Sequence, residues 1–248
     1  MKRHCFLLGI LLFFGACQSP STRPKLTISV ASNMQFAVSE IAGAFTEKTK
    51  TPVDLIIGSS GKLTAQITEG APYDVFLSAD LKYPQQLYQN RLAVQSPKVY
   101  AYGKLVLWTH NENVNPTIQG LTDETITHIA LANPKTAPYG SAAIEVLKHH
   151  GIYGEVSQKL VFGESISQTN QFIMSEAAQV GFTAKSVVLS SNLKEKGKWS
   201  DVDSSDYTPI AQGIVLLNEN RETKAFYTFI FSEEAKKILK NYGYSVDE

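Results

Sequence analysis

The sequence predicts an α/β protein built as two βαβ lobes, each with a mostly parallel sheet, facing each other across a cleft. Three observations predict it. Short apolar, β-branched runs alternate with stretches whose apolar residues recur every three or four positions, the pattern of strands followed by helices that pack on them. That alternation runs twice, before and after a long apolar segment at residues 99–109 that can pass from one lobe into the other. The apolar runs also end in turns of small and hydroxyl-bearing residues that restart at once as helices, most plainly in GSSGKL at residues 58–63. With 248 residues and 43% hydrophobic content, the chain can bury one large core or two of ordinary domain size.

The chain begins with Lys2 and Arg3, followed by an apolar run at residues 5–14. That run falls well short of the roughly 20 residues a membrane-spanning helix needs, so it reads as the core of a signal peptide and predicts export. Cys17 follows two small residues and precedes a polar, proline-containing linker at 18–24. The arrangement is similar to the lipobox of bacterial lipoproteins, although Phe14 stands where Leu is usual. It makes residues 1–17 a lipoprotein-type signal peptide with Cys17 as the lipidated first residue; the alternative is a plain cut near Ala16 that leaves Cys17 an ordinary thiol. Cys5 departs with the signal, so the mature chain has no intramolecular disulfide.

The 23 basic and 23 acidic residues balance, and loss of Lys2 and Arg3 leaves the mature chain slightly acidic. No basic field is available to hold nucleic acid. The arginines are Arg3, Arg23, Arg91 and Arg221, of which the first two lie in signal and linker, so an arginine-clamped anion site is not expected.

The first lobe is expected over residues 25–103. Residues 26–31 read as a strand ending at Ser32 and Asn33, two preferred helix-capping residues, and the helix beyond places Met34, Val38, Ile41 and Phe45 on one stripe. Thr51 and Pro52 stop it. Residues 53–57 form the next strand, the Gly-Ser turn and a short helix with Leu63 and Ile67 follow, and 74–78 form a third strand before a helix near residues 84–90.

The second lobe is expected over residues 104–208. Residues 128–132 read as a strand, 133–140 as a loop, 141–150 as a helix ended by Gly151, and 160–162 as a strand leading through Ser165, Ile166 and Ser167 into a helix. Residues 181–183 form a buried strand, and the polar stretch 190–206 reads as a surface excursion. Residues 209–248 return to the first lobe, with Ser232 opening the last helix ahead of two acids.

Four strand-to-helix turns carry the chemistry: Ser32 with Asn33, Ser59 with Ser60 and Gly61, the loop holding Tyr139, and Ser165 to Ser167. Two fall in each lobe, and in open α/β sheets the carboxyl ends of the strands line the ligand crevice. Each offers unpaired helix N-terminal N–H groups, so together they make a pocket of neutral donors suited to an anion. Lys62 reads as a solvated helix-face lysine. His149 and His150, adjacent on a helix, are expected to point to different sides, which argues against a metal site.

The runs VASN at 30–33, GSSGKL at 58–63, APYDVFLSAD at 71–80, ANPKTAPYG at 132–140, VGFTA at 180–184 and IAQGIVLL at 210–217 resemble the periplasmic molybdate- and tungstate-binding proteins of bacterial ABC importers. The similarity spans about residues 26–244 in order. It implies a type II periplasmic binding protein fold whose lobes close on a tetrahedral oxyanion for delivery to an ABC permease. It implies ligand donors at Ser32, Asn33, Ser60, Tyr139 and the N–H of Ile166, with Ser59 and Gly61 in support. It implies no catalytic residue, no cofactor, no direct metal ligand and a monomer. Some members carry a ligand tyrosine in the strand after the fourth turn, where this chain reads Gly181-Phe182-Thr183-Ala184; in members lacking it the Ala-Pro-Tyr-Gly loop supplies the phenol, so Tyr139 is expected to serve here. Two further expectations concern the cleft: that only the ligand holds the lobes together, and that Glu164, the one acid beside any of the four turns, faces solvent.

Two rival readings remain at this level. A carrier for another tetrahedral oxyanion such as sulfate fits the same donors. Ser59 to Lys62 also matches Ser-x-x-Lys, the nucleophile motif of penicillin-binding enzymes, but the companion Ser-Asp-Asn and Lys-Thr-Gly elements are missing from the sequence.

Overall fold

The computed structural model describes residues 25–246. The expected signal peptide, with Cys17, and the expected linker at 18–24 lie outside the described residues. In chain order, β1 (Leu26–Ala31) enters a 3₁₀ turn and α1 (Gln35–Thr49), β2 (Val53–Gly58) leads into α2 (Ser60–Thr68), and β3 (Val75–Ser78) into α3 (Lys82–Gln89). Helix α1 buries Ala37, Val38, Ile41, Ala42 and Phe45. It stops where Lys50 turns left-handed at φ 62° and donates its N–H to the Thr46 carbonyl. Pro52 then forbids continuation.

β4 (Lys98–Gly103) and β5 (Leu105–Thr109) are separated only by Lys104, yet they belong to different sheets. The second sheet is completed by β6 (Ile129–Ala132), followed by α4 (Pro138–His149) and α5 (Tyr153–Val156), then β7 (Leu160–Gly163), α6 (Ile166–Met174), β8 (Val180–Ala184), α7 (Lys185–Val188) and β9 (Lys198–Asp201). The chain then returns as β10 (Ile210–Leu216), α8 (Arg221–Ile230) and α9 (Glu233–Asn241). The strand orders are β2-β1-β3-β10-β4 and β7-β6-β8-β5-β9, the same pattern twice.

Each sheet is mixed. β1 pairs parallel with β2 and β3, and β6 with β7 and β8. β10 and β5, which arrive from the other lobe with no helix to reverse the chain, run antiparallel to both their neighbours. The expected surface excursion at 190–206 contains the edge strand β9, which sets Trp199 opposite the fully buried Trp108. Trp108 donates its indole N–H to the Lys196 carbonyl at 2.9 Å, so that stretch is tied down by this bond and by the pairing of β9 with β5.

Phe45 meets Phe226 and Phe229 edge-on, with ring centroids 5.3 and 5.6 Å apart, and this fixes α8 on the first lobe. Asn220 and Ser232 accept from the N–H groups of Thr223 and Ala235 and cap the last two helices. The lobes' cores touch: Ala31, Phe36 and Ala79 of the first pack into the apolar cluster of the second.

The two histidines differ from expectation. His149 and His150 both approach Asp206, at 3.4 and 2.7 Å, although His149 ends α4 and the His150 N–H still bonds the Val146 carbonyl. Among the described residues no cluster of three or more His, Cys, Asp or Glu could hold a metal ion.

Candidate anion-binding site

All four turns meet at the cleft. They wall a cavity of ≈ 10 Å³, the scale of one small guest, lined by Ala31, Ser32, Asn33, Ser59, Ser60, Ala79, Ala137, Pro138, Tyr139 and Ile166. Ser32, Asn33, Ser60, Tyr139 and Ile166 are at most 4% exposed, so a guest would be almost wholly removed from water. None of these lining residues is charged. Ser60 and Ile166 open α2 and α6, and Tyr139 is the second residue of α4, so their N–H groups lie where no preceding helical carbonyl can accept them.

The side chains divide the work. Ser32 and Asn33 do not cap α1; they sit in the 3₁₀ turn ahead of it, and neither it nor α1 has a side-chain cap. The Ser32 hydroxyl is buried with no hydrogen-bond partner among the described residues. The Ser60 oxygen accepts the Ala79 N–H at 3.0 Å, which leaves its proton free to donate. Asn33 is committed elsewhere: its side-chain amide donates to Gln212 Oε1 at 2.8 Å and to the Tyr244 hydroxyl at 3.0 Å. Its carbonyl accepts from Ser186 Oγ at 2.7 Å. Gln212, Tyr244 and Ser186 therefore fix the first turn from behind, across both lobes.

Tyr139 lines the cavity, but its phenol tip reaches the crossover strands. A methyl group on Gly103 would stand 2.0 Å from that hydroxyl and 3.0 Å from Gln212 Nε2. The hydroxyl has no partner among the described residues. Burial, reinforced by the neighbouring Tyr244 phenol, pushes its pKa well above the ordinary value, so it stays protonated. Gly140 is needed for close approach, since an added Cβ would meet the Ala132 carbonyl at 2.0 Å.

Glu164 does not simply face solvent. Its Oε1 accepts from Ser59 Oγ at 2.9 Å and its Oε2 lies 3.9 Å from Lys62 Nζ, across the cleft. Gly61 is also at the lobe boundary, donating its N–H to the Thr136 carbonyl at 2.9 Å. The lobes therefore hold each other directly, contrary to the expectation that a ligand alone joins them.

The chain has known relatives. A family-level match to the bacterial extracellular solute-binding proteins runs over residues 26–245. The chain belongs to that family. Among its solute-binding relatives, the molybdate-binding protein ModA of Rhodobacter capsulatus is 40% identical over 229 residues, covering 91% of this chain and 90% of that one. The molybdate-binding protein ModA of Azotobacter vinelandii is 33% identical, over 99% of this chain and 98% of its own. The solved periplasmic molybdate-binding protein of Azotobacter vinelandii superposes with a TM-score of 0.84 at 32% identity, covering 90% of this chain and all of that one. The two-lobed, mixed-sheet architecture of this chain is thus the periplasmic solute-binding fold.

Proposed function

We propose that this chain captures molybdate or tungstate outside the cytoplasm and presents it to an ABC permease. The observation that carries the reading is the buried, uncharged cavity where helix-start turns from both lobes converge, in a chain 40% identical to a molybdate-binding protein. The donors are the hydroxyls of Ser32 and Ser60 and the backbone N–H groups of Ser32, Asn33, Ser60, Tyr139 and Ile166. Each helix start contributes about 0.3–1 kcal/mol toward an anion, and more where it is buried. A fully deprotonated oxyanion offers only acceptors, which such a site satisfies without a counter-cation and without a cofactor. Tyr139 serves through its N–H rather than its phenol.

Binding acts on the folded state alone, so molybdate stabilises it by mass action, by about 2.7 kcal/mol at a hundredfold excess over Kd. The melting temperature of the purified protein should rise with molybdate or tungstate and stay put with equal phosphate; no response to molybdate would refute the assignment.

The mature protein works as a monomer tethered through Cys17. One acyl chain binds membranes only marginally, whereas the several chains of a bacterial lipoprotein hold firmly. A clickable fatty acid should label the wild type and spare Cys17→Ala; equal labelling of both would remove the anchor from this account.

A further inference from the structure

The turn that opens α2 grips the far lobe without passing through the cavity. Ser59, 3% exposed, donates its hydroxyl proton to Glu164 at 2.9 Å, a bond to a charged acceptor and so roughly twice as strong as a neutral one. Lys62 stands 3.9 Å from the other carboxylate oxygen; with both side chains about half exposed, this pair mainly offsets a negative charge close to an anion site. Between them, the Gly61 N–H bonds the Thr136 carbonyl at 2.9 Å. Tyr83 adds its hydroxyl to the Lys135 carbonyl at 2.9 Å. The fit at Gly61 is steric as well as polar: an added Cβ would lie 2.8 Å from the Tyr83 hydroxyl and 3.0 Å from Thr136 Cα. Glu164 is held in place from its own side, its N–H donating to Gln168 Oε1 at 2.6 Å.

We propose that Ser59, Gly61 and Glu164 form a latch across the cleft mouth that sets how long the closed form lasts. They are positioning residues: the Ser59 proton is spent on Glu164 rather than on a guest, Gly61 lets two backbones touch, and Glu164 is absent from the cavity wall. Contacts made only when the lobes meet have little effect on the first encounter with ligand and a large one on escape, so the latch governs release rather than capture. It also means that a permease must break the latch to empty the site. The release part of this proposal rests on the molybdate reading; the closure part does not.

The test uses the purified full chain with Ser59→Ala, Glu164→Ala, their double variant and Gly61→Ala, in two measurements. Release of radiolabelled molybdate into excess unlabelled ion should be about ten- to a hundredfold faster in either single variant, the scale of one lost hydrogen bond to a charged group. The double variant should be no faster than the singles, because each already removes the same bond. Small-angle scattering without ligand should show a larger radius for Glu164→Ala and Gly61→Ala than for wild type. Release at the wild-type rate in both singles, or a double effect equal to their product, would overturn the latch. Should wild type take up no molybdate, the binding assignment falls, and the ligand-free radius decides alone: an expanded Glu164→Ala and Gly61→Ala supports the latch, and radii equal to wild type overturn it.

Discussion

The hydroxyl oxygen of Ser60 accepts the Ala79 backbone N–H at 3.0 Å, and this bond orients the serine proton away from Ala79 and toward the cavity that Ser60 lines. The residue thus joins scaffold and site in one atom. Ser60→Ala should weaken molybdate binding by about 1–3 kcal/mol, through loss of a charge-assisted donor. It should also lower stability by about 1–3 kcal/mol, because the Ala79 N–H is left without a partner. Calorimetry and urea denaturation measure the two losses separately; unchanged binding would remove Ser60 from the donor set.

Tyr139 is the sharper test of which atoms bind. Its buried hydroxyl has no partner among the described residues and lies against Gly103, so Tyr139→Phe should keep molybdate affinity within about threefold and leave stability equal or raised. Loss of an order of magnitude or more in affinity would restore the phenol as a ligand.

Gly103→Ala should destabilise by about 1–3 kcal/mol, since its Cβ would stand 2.0 Å from the Tyr139 hydroxyl. Adding Tyr139→Phe should recover part of that cost. Additive losses would place the strain elsewhere.

The alternating strands, the crossover at residues 99–109 and the four helix-start turns were legible because each is local: periodicity and turn chemistry act over a few residues. What escaped was long-range. Asn33 meets Tyr244 across 211 positions and Ser59 meets Glu164 across 105, and no local pattern marks either pair. The same limit explains the antiparallel β5 and β10, whose direction depends on which lobe the chain has just left. Ser32 and Asn33 had the residue types of caps, yet the 3₁₀ turn places them ahead of α1 and leaves their groups for the site and its supports.

Asp80 gives a pH-dependent prediction. Burial raises its carboxyl pKa above the ordinary value, outweighing hydrogen bonds from the Tyr83 N–H and Ser78 Oγ. The folded state therefore binds this proton more tightly than the unfolded one. Its stabilising contribution is complete below the ordinary value of 3.8 and is lost as pH rises through the raised folded value. Asp80→Asn keeps an acceptor for both donors, so it should melt above wild type at neutral pH, with the gap closing as pH falls toward 3.8. A gap that is constant with pH would contradict the burial argument.

The central claim is that a neutral, donor-only cavity selects a proton-free oxyanion, and calorimetric titration of one preparation with molybdate, tungstate, sulfate and phosphate tests it most directly. Near neutral pH phosphate retains a proton and needs an acceptor, but no carboxylate lines the cavity, and Glu164 is engaged by Ser59 and Lys62. An unpaired proton or lone pair there costs roughly 1–3 kcal/mol, a tenfold loss or more. Sulfate carries no proton either, but on the proposed reading its shorter bonds to oxygen keep it from reaching every donor spaced for molybdate. The account predicts molybdate and tungstate binding alike and tightly, with sulfate and phosphate far weaker; phosphate competing with molybdate on equal terms would contradict it.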